Sequence, residues 1–95
     1  MKENIELYSN PKQVLKMAKE YFGKNVDIDY STKKDKKYMI LNPDNGKWIH
    51  FGQMGYEDYT KHKDKQRRED FRRRNSKWAN AKQYTPAYMA YYLLW

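Results

Sequence analysis

Residues 56–74 hold eight Lys/Arg, five Asp/Glu and only three aromatics. A helix this charged cannot be anchored by burying an apolar stripe. Either its own ion pairs support it or an anionic partner does, and the core must come from other parts of the chain. Spacing provides many internal pairs: Glu57 with Lys61, Asp58 with His62, Asp64 with Arg67 and Arg68, Lys65 with Glu69, Glu69 with Arg72 and Arg73, and Asp70 with Arg73 and Arg74. At about 0.2–0.5 kcal/mol each, they sum to about 2–3 kcal/mol, enough to bias a helix but not to dock it. The pattern predicts one long charged helix over about 57–75, docked through Tyr56, Tyr59 and Phe71.

The core must therefore be built from few but bulky groups. Sixteen of the 95 residues are aromatic, which argues against the disorder that a one-third charged composition would otherwise suggest. Asn10, Pro11 and Gly23 form a cap, first-turn and stop sequence around Val14, Leu15, Ala18, Tyr21 and Phe22, which recur at helical spacing. Val26, Ile28 and Tyr30 alternate with polar residues, as in a half-buried strand. Two further runs, 37–42 and 47–52, flank Pro43–Gly46, whose Pro, Asp, Asn and Gly are turn chemistry; they predict an antiparallel hairpin at 37–52. Thr85 and Pro86 open a short C-terminal helix through Leu94. The order is α-βββ-α-α, one α+β domain over residues 1–95 with a small sheet of about three strands.

Charge is distributed unevenly. Residues 1–32 hold five Lys against five acids, residues 33–54 five against two, and residues 55–95 ten Lys/Arg against five, so the whole excess of +8 lies beyond Thr32. Such asymmetry points to an anionic partner, and nucleic acid is the commonest. The candidate phosphate contacts are Lys33, Lys34 and Lys36 in the connection before the hairpin, and Lys63, Arg67, Arg72, Arg73 and Arg74 in the charged helix. Arginine suits bidentate phosphate contacts and lysine adds point charge. The helix macrodipole alone also accounts for three cations at a C-terminus. The expected function is nucleic-acid binding without strong sequence readout, with DNA ahead of RNA. The alternative is a structural or assembly role, in which the same charges meet acidic protein surfaces and the aromatic Tyr88–Trp95 end docks into a partner.

Catalytic signals are weak. The chain has no cysteine, no Gly-rich phosphate loop, and only His50 and His62 as histidines. A metal-dependent nuclease built on Asp58, His62 and Asp64 would need ligands that converge, and these positions on one helix do not. The sequence therefore predicts a binding protein, not an enzyme, without cofactor or metal. No apolar run approaches a membrane span and no secretory h-region is visible, so a soluble intracellular protein is expected.

Several blocks together resemble a known pattern: Lys37–Ile40, Ile49–Gly52, the run Gly55–Asp64 with its Gly-Tyr-x-Asp-Tyr-Thr-x-His-x-Asp order, then Arg67, Arg68, Phe71 and Arg74, and the closing Leu93–Trp95. The pattern is similar to a small uncharacterised basic protein family of large double-stranded DNA viruses. It covers about residues 36–95 and leaves the N-terminal helix outside. This chain departs from it at Asn75, where a His commonly follows the Arg. The resemblance implies a viral setting, in the virion or the host-cell interior, and no mechanism. It also implies a structural clasp at Gly55–Asp64, in which Asp58, Tyr59, His62 and Asp64 hold the helix entry against the hairpin.

Overall fold

Helix α1 spans Pro11–Phe22 in the computed structural model, which describes residues 2–95. Its start follows the cap sequence: the Asn10 side chain accepts the Gln13 N–H at 3.3 Å, and Pro11 occupies the first turn. Gly23 ends it at φ 96°, a conformation that costs glycine little. Val14 and Ala18 are buried, with Met17 and Phe22 packed beside them. Leu15 and Tyr21, expected in the same stripe, are about 40 % exposed because they lie on its shoulders. Before α1, a 3-10 turn at Ile5–Leu7 buries Ile5 completely.

Three strands follow, β1 (Ile28–Tyr30), β2 (Lys36–Asn42) and β3 (Lys47–Gln53), antiparallel in the order β1-β2-β3. The expected hairpin is present. Asn42 and Asn45 side chains accept the N–H groups of Asp44 and Lys47 at 3.0 and 2.9 Å, and Gly46 takes φ 69°. Register places Tyr30, Tyr38 and Phe51 in one cross-strand row and Ile28, Ile40 and Ile49 in the next. Both rows pack in the core, where Tyr38, Ile40 and Phe51 are nearly unexposed. Met39, Leu41, Trp48 and His50 alternate onto the opposite face.

The charged segment is not one helix. It divides into α2 (Tyr59–His62) and α3 (Lys65–Arg74), with Lys63 between them in the left-handed region at φ 57°. A continuous helix would send the Asp64 N–H to the Thr60 carbonyl. Instead His62 Nδ1 accepts it at 2.9 Å. The Asp64 carboxylate then caps a new helix by accepting the N–H groups of Gln66 and Arg67 at 3.0 and 3.2 Å. The internal pairs expected along the segment are correspondingly reduced. Among the described residues the ion pairs are Asp70–Arg73 and a long-range one, Lys37–Asp58.

After a 3-10 turn at Ser76–Asn80, Thr85 caps α4 (Pro86–Met89), which widens into a π-turn at Ala90–Leu94. Met89, Leu93 and Leu94 enter the core, so the C-terminal end is interior. The wider turn brings the Trp95 ring flat onto Phe71, with centroids 4.4 Å apart and planes 8° from parallel. Leu94 also packs where β3 lacks a side chain. A Cβ on Gly52 (φ 81°) would lie 3.0 Å from Leu94 Cδ1 and 3.1 Å from Lys37 Cβ and Cδ. Gly52→Ala is therefore expected to destabilise the fold by about 1–3 kcal/mol through overpacking and backbone strain, read from the urea midpoint. The helices and the antiparallel sheet together make an α+β fold.

Candidate nucleic-acid interface

The site is organised from a buried polar network beneath it. Lys37 on β2 is almost unexposed, and its Nζ donates to the carbonyl of Tyr56 at 2.6 Å, to Asp58 Oδ2 at 3.1 Å and to the carbonyl of Tyr8 at 3.4 Å. Three donors thus meet three acceptors, as a protonated amine requires. Burial pushes the Lys37 pKa down, and the Asp58 carboxylate opposes that shift. The other Asp58 oxygen accepts from the Thr60 hydroxyl. With that proton committed, Ser9 must donate to Thr60 across 3.2 Å, and the Tyr38 hydroxyl donates to Ser9 at 2.7 Å. Burial raises the Tyr38 pKa and keeps the hydroxyl a donor. This directed chain of hydroxyls ends on a carboxylate and ties the start of α1, β2 and α2 into one block.

The expected clasp is therefore present in altered form. Asp58 grips β2 through Lys37, while His62 and Asp64 shape the break between α2 and α3. His62 Nδ1 is an acceptor, which assigns the proton to Nε2. Desolvation and then the Arg67 charge hold the imidazole below its ordinary pKa. Asp58, His62 and Asp64, the triad considered for metal chemistry, each have a structural partner: an ammonium, a backbone N–H and a helix N-terminus. Among the described residues no group of three His, Cys, Asp or Glu could hold a metal ion.

Helix α3 docks through Arg68, Phe71 and Arg72, one helical face at i, i+3 and i+4. Arg68 Nε and Arg72 Nη2 both donate to the Trp95 carbonyl, at 2.7 and 3.0 Å. Their guanidinium groups also cover the rings of Tyr59 and Tyr91, at 4.7 and 5.2 Å. Arg72 is thus a structural clamp and is not part of an exposed ridge, because the α3 face that carries it is the one packed on the C-terminal segment. The sequence pattern assigns Tyr56 a docking role, yet the residue is 71 % exposed. The bond from Lys37 holds its backbone carbonyl instead, and Phe71 and Trp95 dock α3.

Arg67, Arg73 and Arg74 remain exposed on the other side of α3. They converge, with Asp70, Tyr56, Glu57 and Trp95, on an open cleft of about 480 Å³. Asp70 pairs with Arg73, and its backbone carbonyl accepts from Arg74 Nε at 3.3 Å. A second cleft of about 580 Å³ shares Tyr56, Glu57 and Trp95 with the first and runs to Lys36 at the start of β2. The eight residues chosen from charge alone are accordingly dispersed. Lys36 lines the second cleft and Arg67, Arg73 and Arg74 line the first, and the two adjoining clefts with their shared residues make up one candidate trough. Lys33 and Lys34 sit exposed on the β1–β2 turn, whose Ser31 and Lys33 carbonyls Lys2 binds, and line neither cleft. Lys63 bonds the Gln13 side chain and faces a different cleft, beside Asn10 and Pro11, because the α2–α3 break turns it away from α3. Tyr56 and Trp95 complete the trough. Charge counting could not find them, and the aromatic content of the segment was the only signal.

A model of one protein family matches residues 26–75, more than half of the chain. The chain belongs to a family of unknown function (DUF5754). No curated protein and no solved structure matches it. The DUF5754 segment covers all three strands, α2 and α3, and so includes Lys37, Asp58 and Thr60 of the polar network and the three arginines of the cleft. Ser9, Trp95 and the core leucines of the C-terminal turn lie outside it.

Proposed function

We propose that the protein binds nucleic acid through phosphate contacts, without strong sequence readout, at the cleft bordered by Arg67, Arg73 and Arg74. One observation carries this reading. Three guanidinium groups are exposed on one side of a helix whose other side is committed to packing, and they open onto the same concave surface. Guanidinium groups grouped in this way suit bidentate phosphate oxygens. Asp70, paired with Arg73, and Glu57 offset part of their charge, so phosphate must displace Asp70 from Arg73 and binding falls as salt rises. The net charge of +8 favours approach of a polyanion to any part of the molecule. The resemblance to a viral family supports DNA in a virion or infected cell as the setting.

The test is a triple variant, Arg67→Gln, Arg73→Gln and Arg74→Gln. All three side chains are exposed, so the fold should survive, as checked by circular dichroism. Affinity for both duplex and single-stranded DNA at low salt is expected to fall by at least tenfold, measured by fluorescence anisotropy. Unchanged affinity would place the contact surface elsewhere, with the Lys33–Lys34 turn as the next candidate.

A further inference from the structure

Within the trough, Tyr56 stands apart from its neighbours. From Asp58 to Asp64, the side chains of Asp58, Thr60, His62 and Asp64 each hydrogen-bond within the fold, and Tyr59 lies under Arg68. The Tyr56 side chain makes no hydrogen bond or ring contact among the described residues, and it is the most exposed large hydrophobic group there. Its backbone is nevertheless fixed, because Lys37 Nζ donates to its carbonyl at 2.6 Å from within the core. A bulky ring that the fold does not use is thus presented on a rigid base, at the point where the two clefts meet.

The surroundings define what such a ring could bind. Trp95, held flat on Phe71, lines both clefts as Tyr56 does, and each cleft carries exposed or half-buried cations, Lys36 in one and Arg67, Arg73 and Arg74 in the other. Each cleft falls within the roughly 300–1,000 Å³ that accommodates a drug-sized ligand, the size class of a nucleotide. Aromatic rings between cations match a chain that alternates flat bases with phosphates. A duplex keeps its base faces stacked inside and cannot offer them to a ring within a cleft. Glu57 also lines both clefts and disfavours a phosphate beside it, which leaves the shared part for a base and the cation-lined parts for the backbone.

We infer that the trough takes single-stranded nucleic acid in preference to duplex, with an unpaired base stacked on Tyr56. This inference rests on the phosphate-binding reading above and adds the strandedness of the partner. The experiment uses the full chain with a fluorescein-labelled oligothymidylate of about 12 nucleotides and a labelled duplex of equal length. The single strand should bind more tightly. Tyr56→Ala should weaken single-strand binding about tenfold and so abolish most of the preference over duplex, while Tyr56→Phe retains the preference. The exposed ring can be removed without unfolding the protein, and an unchanged urea midpoint verifies this. Equal affinity for the two oligonucleotides, or a Tyr56→Ala variant that binds both as the wild type does, would overturn the inference while the phosphate reading stands. Failure of the wild type to bind either one would overturn both.

Discussion

Asp58→Ala is expected to cost about 3–5 kcal/mol of folding stability, the loss typical when one partner of a buried ion pair is removed. The Lys37 and Asp58 side chains are 3 % and 1 % exposed and lie 3.1 Å apart. Without the carboxylate, a buried ammonium is left with two carbonyls, and the hydroxyl chain from Tyr38 through Ser9 and Thr60 loses its final acceptor. Small domains are stable by only about 5–15 kcal/mol, so the variant is expected to approach its unfolding threshold at room temperature. The double variant Lys37→Met with Asp58→Leu should lose clearly less than the sum of the two single ones, because no lone charge remains buried. Urea unfolding measures all of these. A loss below about 1 kcal/mol for Asp58→Ala would mean that the pair is solvated and contributes as a surface pair does.

Removal of residues 93–95 has a still larger expected effect. Leu93 and Leu94 are each 2 % exposed, and truncating one buried leucine to alanine alone costs about 2–5 kcal/mol. Trp95 adds its stack on Phe71 and the carbonyl that accepts from Arg68 and Arg72. The shortened chain should lack a cooperative unfolding transition and near-ultraviolet dichroism at 25 °C, and Leu94→Ala should lose about 2–5 kcal/mol while remaining folded. A shortened chain that stays folded would instead make the aromatic end peripheral, as the assembly alternative requires.

Local signals in the sequence carried much of this fold. Asn10, Pro11 and Gly23 bound α1 where their chemistry requires, and the Pro43–Gly46 turn sets the register of β2 on β3. The division of the charged segment was harder to see, since pairs counted at i, i+3 and i+4 assume that each acid serves its own helix. Asp58 is drawn to Lys37, twenty-one residues earlier, and Lys37 stands beside a run of solvated lysines that disguises its burial. Asp64 ahead of Lys65, Gln66 and Arg67 was the available local sign, since aspartate is a preferred N-cap. For the site, charge alone indicated Arg67, Arg73, Arg74 and Lys36. It could not separate these from Arg72, which faces inward one position before Arg73, or reveal that Tyr56 is exposed while most other rings pack. Those distinctions depend on tertiary packing.

The salt dependence of single-strand binding, measured for the wild type beside the Arg67→Gln, Arg73→Gln, Arg74→Gln variant, tests the phosphate contacts most directly. Each phosphate contact to a single strand contributes about 0.7 to the slope of log affinity against log salt. Three contacts should make the wild-type slope steeper by about 2, so that between about 50 and 200 mM salt the wild type loses roughly twentyfold more affinity than the variant. Parallel slopes for the two proteins would contradict phosphate contact at these arginines.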